Sequence, residues 1–230
     1  MCGRFSLIYN LEELKERFRI QQIKLSWNPR YNIAPTQDVL AVFEDSGELV
    51  ADSFTWGLVP HWAKEARLGG LINARAESAD EKPSFRESFK NRRCLILASG
   101  FFEWRKFSGG KQPYFIKLKS GDPFAFAGLF DIWHDELKTC TILTTKPNAV
   151  VKPIHERMPV ILSPESENSW LEFSDVDSLK KLLTPYPPEE MEAYPISKEV
   201  NNPETEGSTI IERIQLKGDV SDQKNLFDYT

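Results

Sequence analysis

Short segments rich in β-branched and aromatic residues fill the middle of the chain, and turn-forming residues separate them. This pattern predicts strands over residues 39–43, 49–56, 71–76, 94–98, 101–106, 114–118, 124–130, 139–145 and 158–162, with a return strand over 208–214. Frequent turn signals between strands favour antiparallel or mixed pairing. We therefore predict an α+β fold, a single domain of mixed, largely antiparallel β-sheets closed toward a barrel, with short flanking helices.

The helical pattern is limited to three short stretches. Residues 11–18 place Leu11, Leu14 and Phe18 on one face, with Asn10 as the cap and Glu13 at the third position. This pattern predicts a short amphipathic helix.

Two further helices are predicted in the last third of the chain. Ser163 can cap a helix that starts at Pro164 and runs to about residue 173. Ser174 and Asp177 have the spacing of a capping box for a helix over 176–183.

Length and composition favour one domain. The chain has 230 residues, of which 40% are hydrophobic and 27% charged, enough for one substantial core. We assign the domain to residues 1–216 and predict that the polar residues 217–230 form a flexible acidic tail. No apolar run approaches the ~20 residues of a membrane span, and no signal-peptide pattern precedes the domain. We therefore expect a cytoplasmic monomer without a membrane partner.

Charge is distributed unevenly along the chain. The net charge is -5, yet residues 1–162 carry 23 Lys and Arg against 19 Asp and Glu, whereas residues 163–230 carry 6 against 15. A basic surface on the first part is therefore compatible with the acidic total, although a mild excess of this size also fits an ordinary solvated face. The three cysteines and three histidines lack the spacing of a disulfide framework or a metal site, so we expect no metal and no cofactor.

Cys2 stands directly behind the initiator Met1. Removal of Met1 would leave an α-amine, with an ordinary pKa of about 7.7 to 8.0, and a thiol on the same residue. The amine can form an imine with an aldehyde, and the thiol can close it into a five-membered thiazolidine. The alternative is that residue 2 is simply a small residue that permits removal of Met1.

Three further polar residues are candidates for chemistry. Asn73 alternates with Arg75 and Glu77, so a strand would place all three on one face, either a functional face or the solvent side of an edge strand. Glu103 lies between aromatic residues, which raises a carboxyl pKa if the side chain is desolvated, although it could also face water. His155 lies between two prolines and has the titration range of a proton shuttle, although a lone histidine is more often structural.

Arginine and tryptophan side chains could bind a nucleic acid. Guanidinium groups bind phosphates, and exposed indole rings stack on bases. The candidates are Arg4, Arg75, Arg157, Trp62 and Trp104.

Six segments in this order carry a family resemblance: MCGRF at 1–5, YNIAPT at 31–36, WGLVP at 56–60, NARAE at 73–77, GFFEW at 100–104 and IHERMP at 154–159. The chain resembles the SRAP family, the SOS response-associated peptidases, and residues 200–202 resemble a further family segment. Ser78 departs mildly from the family, where Thr is common, and no match is recognised for the acidic tail.

The resemblance implies a domain with a basic groove that binds single-stranded DNA and forms a covalent cross-link with abasic sites in the DNA damage response. It implies Cys2 as nucleophile, Asn73 as the group that positions the amine and the sugar, Glu103 as the proton-transfer residue at the imine, and His155 as the acid or base that opens the sugar. It also implies that the DNA contacts are Arg4, Pro35, Trp62, Arg75, Trp104, Thr144 and Arg157. The peptidase label implies self-removal of Met1, and the imine implies lyase-type chemistry.

Two other functions compete with this hypothesis. An N-terminal-nucleophile amidohydrolase would use Cys2 to attack an amide, with its own amine as the base. A protein that only binds nucleic acid or another protein would not use the thiol at all.

Overall fold

The computed structural model describes residues 2–172 and 174–216. Within these ranges the chain forms fourteen strands and four α-helices. The strands are β1 (Phe5–Leu7), β2 (Gln22–Ile23), β3 (Arg30–Ile33), β4 (Asp38–Asp45), β5 (Glu48–Trp56), β6 (Asn73–Arg75), β7 (Arg93–Ala98), β8 (Gly100–Phe107), β9 (Gly110–Leu118), β10 (Phe124–Trp133), β11 (Leu137–Thr145), β12 (Met158–Pro159), β13 (Ile161–Leu162) and β14 (Met191–Pro195). The helices are α1 (Leu11–Phe18), α2 (Arg86–Asn91), α3 (Pro164–Glu172) and α4 (Val176–Leu182).

Five strands close into a barrel in the order β5, β4, β7, β10 and β11. Four of the contacts around this ring are antiparallel, and the fifth is a short parallel pairing of β11 with β5 through Thr139↔Thr55 and Cys140↔Trp56. Four short strands extend the ring, with β2 on β5, β6 and β12 on β11, and β13 on β10. The predicted α+β fold with a closed, mixed sheet is confirmed.

A second sheet of five antiparallel strands, in the order β14, β9, β8, β1 and β3, packs on the barrel. The rings of Phe5 and Phe101 point into the shared core, where both contact Phe126 edge to face. The opposite face of this sheet carries a smaller apolar cluster, in which Val200 and Ile210 cover Phe102. The sheet is therefore buried on both faces, and β1 lies inside it between β3 and β8.

Local sequence signals located several elements correctly. Helix α1 has the predicted capping box, because Asn10 accepts a hydrogen bond from the Glu13 amide and the Glu13 carboxylate accepts one from the Asn10 amide. The predicted strands over residues 39–145 are all present, although the one over 71–76 is shorter and covers Asn73–Arg75. Helix α3 begins at Pro164 as predicted, and its predicted end at residue 173 lies outside the described residues.

Two predictions about the last third were wrong. Helix α4 is capped by Asp175, whose carboxylate accepts a hydrogen bond from the Ser178 amide, and not by Ser174. Residues 208–214 form a 3-10 turn over Ser208–Ile211 instead of a strand, because Ile210 packs inward and only Arg213 makes a bridge to the sheet. The predicted tail at 217–230 lies outside the described residues. In the described ranges no helix is long and apolar enough to cross a membrane.

Candidate active site at the amino terminus

Cys2 stands directly before β1, and its side chain is fully buried. The side chain of Asn73 binds the same residue, because its Nδ2 donates a hydrogen bond to the Cys2 carbonyl oxygen at 2.7 Å. The Cys2 thiol points to the Arg4 carbonyl oxygen, with 3.7 Å between sulfur and oxygen. Two predicted site residues from distant parts of the sequence are thus in direct contact.

Strand β6 presents Asn73 to the amino terminus. It pairs in parallel with β11 in the register Ile142↔Asn73. Ala74 and Ala76 are buried, whereas Arg75 and Glu77 are exposed, so the polar and apolar faces alternate as predicted. The Oδ1 of Asn73 is buried and has no hydrogen-bond partner in the described part of the chain. A buried amide oxygen normally accepts a hydrogen bond, so this atom can take a donor from Cys2 or from a ligand.

Glu103 is the buried carboxylate of this site. It lies on β8, opposite Tyr114 of β9, and only 3% of its surface is exposed. Burial raises the pKa of Glu103, and nearby positive charge on His155 partly opposes the shift. Glu103 can therefore retain a proton at a higher pH than an ordinary glutamate.

The Cys2 thiol is held in its protonated form. Burial raises the pKa of this thiol far above its ordinary range, and negative charge on Glu103 raises it further. The site therefore keeps the sulfur as S–H until a reaction removes the proton.

His155 is partly buried beside these groups. Its Nδ1 lies 3.0 Å from the Arg157 amide nitrogen and 3.2 Å from the Arg157 carbonyl oxygen, and these contacts fix the orientation of the ring. Its charge acts on Glu103, so the imidazole and the carboxyl belong to one site. The structure thus brings together all four predicted catalytic residues, Cys2, Asn73, Glu103 and His155.

Arg157 connects this site to the exposed residue Glu77 and to the buried residue Thr144. Its guanidinium binds both carboxylate oxygens of Glu77, with distances of 2.6 and 2.9 Å, and this pairing lowers the pKa of Glu77. The same guanidinium donates to the carbonyl and hydroxyl oxygens of Thr144. Thr144 is fully buried, and its hydroxyl also lies 3.3 Å from the Ala74 carbonyl oxygen. In this structure Thr144 therefore supports Arg157 and β6 from behind.

Arg4 connects the amino terminus to the end of the domain. Its Nη1 donates hydrogen bonds to the Asn32 side chain at 2.7 Å and to the Val200 carbonyl oxygen at 2.8 Å. The next residue, Asn201, accepts a hydrogen bond from the indole nitrogen of Trp104 at 2.7 Å. The segment that contains Val200 thus holds two of the predicted DNA contacts in place. Sequence reasoning assigned no role to Asn32, although it lies within a family segment.

The remaining predicted contacts differ in exposure. Trp62 is 57% exposed, Arg75 is exposed, and Pro35 is partly exposed. Arg75 lies two positions after Asn73 on β6, so its exposed side chain is on the same face as Asn73. These positions suit contacts with a large ligand.

A buried carboxylate anchors the loop that carries Trp62. Asp131 accepts hydrogen bonds from the His61 amide at 2.9 Å, from the His61 ring at 3.0 Å and from Arg92 at 3.0 Å. The indole of Trp133 also donates to the Ala63 carbonyl oxygen. Sequence reasoning missed Asp131 because no local pattern links it to a loop 70 residues earlier.

Metal-binding residues do not gather in the part of the chain that the structure describes. Among residues 2–172 and 174–216, no group of three or more His, Cys, Asp or Glu side chains is placed to hold a metal ion. The three cysteines are free thiols.

Several known proteins are similar to this chain. A protein from Bacillus subtilis named abasic site processing protein YoqW is 44% identical over 222 residues, which cover 92% of this chain and 99% of the relative. The Escherichia coli abasic site processing protein YedK is 30% identical and covers 93% of this chain and 100% of its own. A crystal structure of a Bacteroides thetaiotaomicron protein superposes with a TM-score of 0.83 at 28% identity, covering 93% of this chain and 100% of the other.

The family model described as SOS response associated peptidase (SRAP) matches residues 1–203, which include every residue of the site. The match extends through the segment that holds Arg4 and Trp104 and ends shortly after it. This chain belongs to the SRAP family.

Proposed function

We propose that this protein processes abasic sites by binding single-stranded DNA and forming a thiazolidine between Cys2 and the abasic sugar. The observation that carries the proposal is the convergence of an amide, a carboxyl and an imidazole on a cysteine that becomes the amino-terminal residue when Met1 is removed. The names of the relatives, which are abasic site processing proteins, support the choice of substrate.

The first step is the opening of the sugar. An abasic deoxyribose is mostly a closed hemiacetal, so a proton donor at the ring oxygen speeds release of the aldehyde. His155 takes this role as an imidazolium, because the Arg157 carbonyl oxygen, 3.2 Å from Nδ1, can accept from Nδ1–H while Nε2 donates its proton to the ring oxygen. Asn73 holds the Cys2 amine against the aldehyde carbon through its amide, which already binds the Cys2 backbone.

The second step is the formation of the imine. The amine nitrogen bonds to the aldehyde carbon and gives a carbinolamine, which must lose water. Glu103 donates a proton to the departing hydroxyl, and its raised pKa keeps that proton available. The products of this step are the protonated imine, one water and the Glu103 carboxylate.

The third step closes the ring. The Cys2 sulfur bonds to the carbon of the protonated imine, the C=N electron pair moves to nitrogen, and the Glu103 carboxylate takes up the thiol proton. The sum of the steps is aldehyde plus aminothiol giving thiazolidine and one water, with no oxidation or reduction. The imine is also the intermediate of lyase-type strand cleavage, so ring closure withdraws it from that reaction and shields the site.

The protonated thiol favours this function over an amidohydrolase. A cysteine nucleophile that attacks an amide acts as a thiolate, whereas burial opposes ionisation of Cys2. The thiazolidine reaction starts from the amine and needs the sulfur only after the imine exists. We assign the peptidase activity in the family name to removal of the protein's own Met1.

The test is incubation of the processed protein with a single-stranded oligonucleotide that contains one abasic site. We expect a denaturant-stable adduct whose intact mass equals the sum of protein and DNA less one water. A matched oligonucleotide with a tetrahydrofuran residue lacks the aldehyde and should give no adduct. Protein that retains Met1 and the variant Cys2→Ala should also give none.

The outcome that would overturn the proposal is a stable adduct from Cys2→Ala, or the absence of any adduct with protein whose mass proves that Met1 is gone. Turnover of simple amides by the same preparation without DNA would favour the amidohydrolase.

A further inference from the structure

We propose that the hairpin tip formed by the ends of β8 and β9, residues 104–113, is a second part of the DNA-binding surface. The ligand of this surface is the single-stranded DNA next to the abasic site. It is bound by phosphate contacts and by stacking of a base on Phe107. This inference rests on the proposed function for the identity of the ligand. It adds a surface that binds nucleotides outside the reacting site.

Along one face of β8, the side chains lie first in the core, then in the site and finally in solvent. Successive residues of a strand point to opposite faces, so Phe101, Glu103, Arg105 and Phe107 share one face. Phe101 is fully buried, Glu103 is 3% exposed, Arg105 is partly buried and Phe107 is 51% exposed. A strand of DNA that reaches Glu103 and continues along this face next meets a guanidinium and then an exposed ring.

The hairpin tip is basic, in contrast to the acidic chain. Residues 104–113 contain three cationic residues, Arg105, Lys106 and Lys111, and no Asp or Glu. Arg105 lies on the face of Glu103 and Phe107, whereas Lys106 and its partner in the register, Lys111, lie on the other face. The guanidinium of Arg105 can therefore bind a phosphate on the path from Glu103 to Phe107, and the two lysines add positive charge at the tip.

Phe107 is suited to stack on a base. Among the described residues it is one of four large hydrophobic side chains that are exposed, and it lies next to the turn of the hairpin. A Cβ atom at Gly109 would lie 2.7 Å from the Phe107 Cε2. The ring can therefore pack against the turn only because residue 109 has no side chain. The ring is thus supported on one side and open to solvent on another. A base that stacks on an aromatic ring contributes ~1 to 3 kcal/mol.

The spacing predicts which DNA reaches the tip. Phe107 lies four positions after Glu103, and a strand rises ~3.3 Å per residue, so the two residues are about 13 Å apart along β8. A stacked strand advances ~3.4 Å per nucleotide, so the ring lies about four nucleotides from the lesion. Short oligonucleotides cannot reach it.

The experiment measures non-covalent binding to single strands that carry a central tetrahydrofuran residue, which cannot cross-link. The flanks are two nucleotides or ten nucleotides long, and ten-nucleotide flanks are also tested on each side separately. The variants are Phe107→Ala and Arg105→Gln. The matched control is Lys90→Gln, which removes one exposed charge from α2. Thermal unfolding verifies that each variant is folded.

We expect Phe107→Ala to lower the affinity for long flanks about 5- to 150-fold and to leave the affinity for short flanks unchanged. Arg105→Gln should reduce the slope of log affinity against log salt by about 0.7 for long flanks, the effect of one single-strand phosphate contact. The control should change neither quantity by as much.

The inference is overturned if Phe107→Ala or Arg105→Gln binds long flanks as tightly as the natural protein, or if Phe107→Ala loses affinity equally for short and long flanks. Because the probe has no aldehyde, failure of the covalent chemistry leaves this measurement intact. Conversely, the mass of the covalent adduct reports the chemistry at Cys2 and not the affinity of the hairpin tip, so the two proposals fail separately.

Discussion

The side-chain amide of Asn73 donates a hydrogen bond to the backbone carbonyl of Cys2, 71 residues earlier in the chain. This contact exists because β6, only three residues long, is fixed to β11 of the barrel, whereas Cys2 is fixed by β1 in the neighbouring sheet. The site thus lies where the two sheets meet, and neither sheet contains it alone.

Replacing Asn73 by Ala should slow cross-linking about 2- to 13-fold. The variant loses a hydrogen bond whose net contribution is ~0.5 to 1.5 kcal/mol, and 1.36 kcal/mol corresponds to a factor of ten in rate. The measurement is the single-turnover rate of adduct formation with abasic single-stranded DNA. Asn91→Ala, which removes an exposed amide on α2, is the control and should react at the natural rate. An undiminished rate in Asn73→Ala would contradict the positioning role.

Replacing Glu103 by Gln should slow cross-linking about 10²- to 10⁴-fold, because the site loses its proton donor. It should also raise the free energy of unfolding at neutral pH. Burial raises the pKa of Glu103 in the folded state, so between the unfolded and folded pKa values the folded state binds more protons. The stability of the natural protein therefore falls as pH rises through this window, from the ordinary glutamate value upward.

Urea unfolding at a series of pH values tests this linkage. The Gln variant should have a flatter profile, since it has no carboxyl to ionise at this position. A variant that is less stable than the natural protein at neutral pH would show that the charged form of Glu103 is favoured by the fold.

Replacing Arg75 by Gln should weaken non-covalent binding to single-stranded DNA and reduce the salt slope by about 0.7, the effect of one phosphate contact. Arg75 is exposed on the same face of β6 as Asn73. Lys90→Gln removes an equal charge from α2 and should leave the slope unchanged. Equal slopes for Arg75→Gln and the natural protein would remove Arg75 from the DNA surface.

Replacing Asp131 by Asn should release the loop that carries Trp62. The carboxylate accepts hydrogen bonds from the amide and the ring of His61, and from Arg92. We expect a loss of ~1 to 3 kcal/mol of stability and a fall in affinity for single-stranded DNA. A double variant with Trp62→Ala should bind no more weakly than Trp62→Ala alone, since the anchor acts through the indole. Additive losses would assign Asp131 a separate effect.

The sequence predicts best those elements whose signals are local. The capping box of Asn10 and Glu13 determines the start of α1, and the turn near Gly47 separates β4 from β5. Strands β1, β3 and β14 were not predicted, because they are three to five residues long and are stabilised mainly by pairing with distant strands. Helix α4 was predicted with its cap one residue early, since Ser174 and Asp175 are both good caps and only the backbone path selects Asp175.

The sequence also predicts local features of the site better than its long-range contacts. The predicted catalytic residues lie in segments whose local sequence already indicated a function, and the structure brings them together. They are Cys2, Asn73, Glu103 and His155. Their supports could not be read from the sequence, because Asn32 contacts Arg4 across 28 residues and Asp131 contacts His61 across 70. Such contacts arise only when the strands have paired.

The position of β1 inside its sheet has a mechanical consequence. A protein tied to DNA through residue 2 would have almost no tether, because Phe5 is already paired on both sides. An enzyme that moves along the DNA and reaches such an adduct would contact the folded domain directly at the abasic site. Extraction by a protease would have to break two strand ladders before the attachment point came loose.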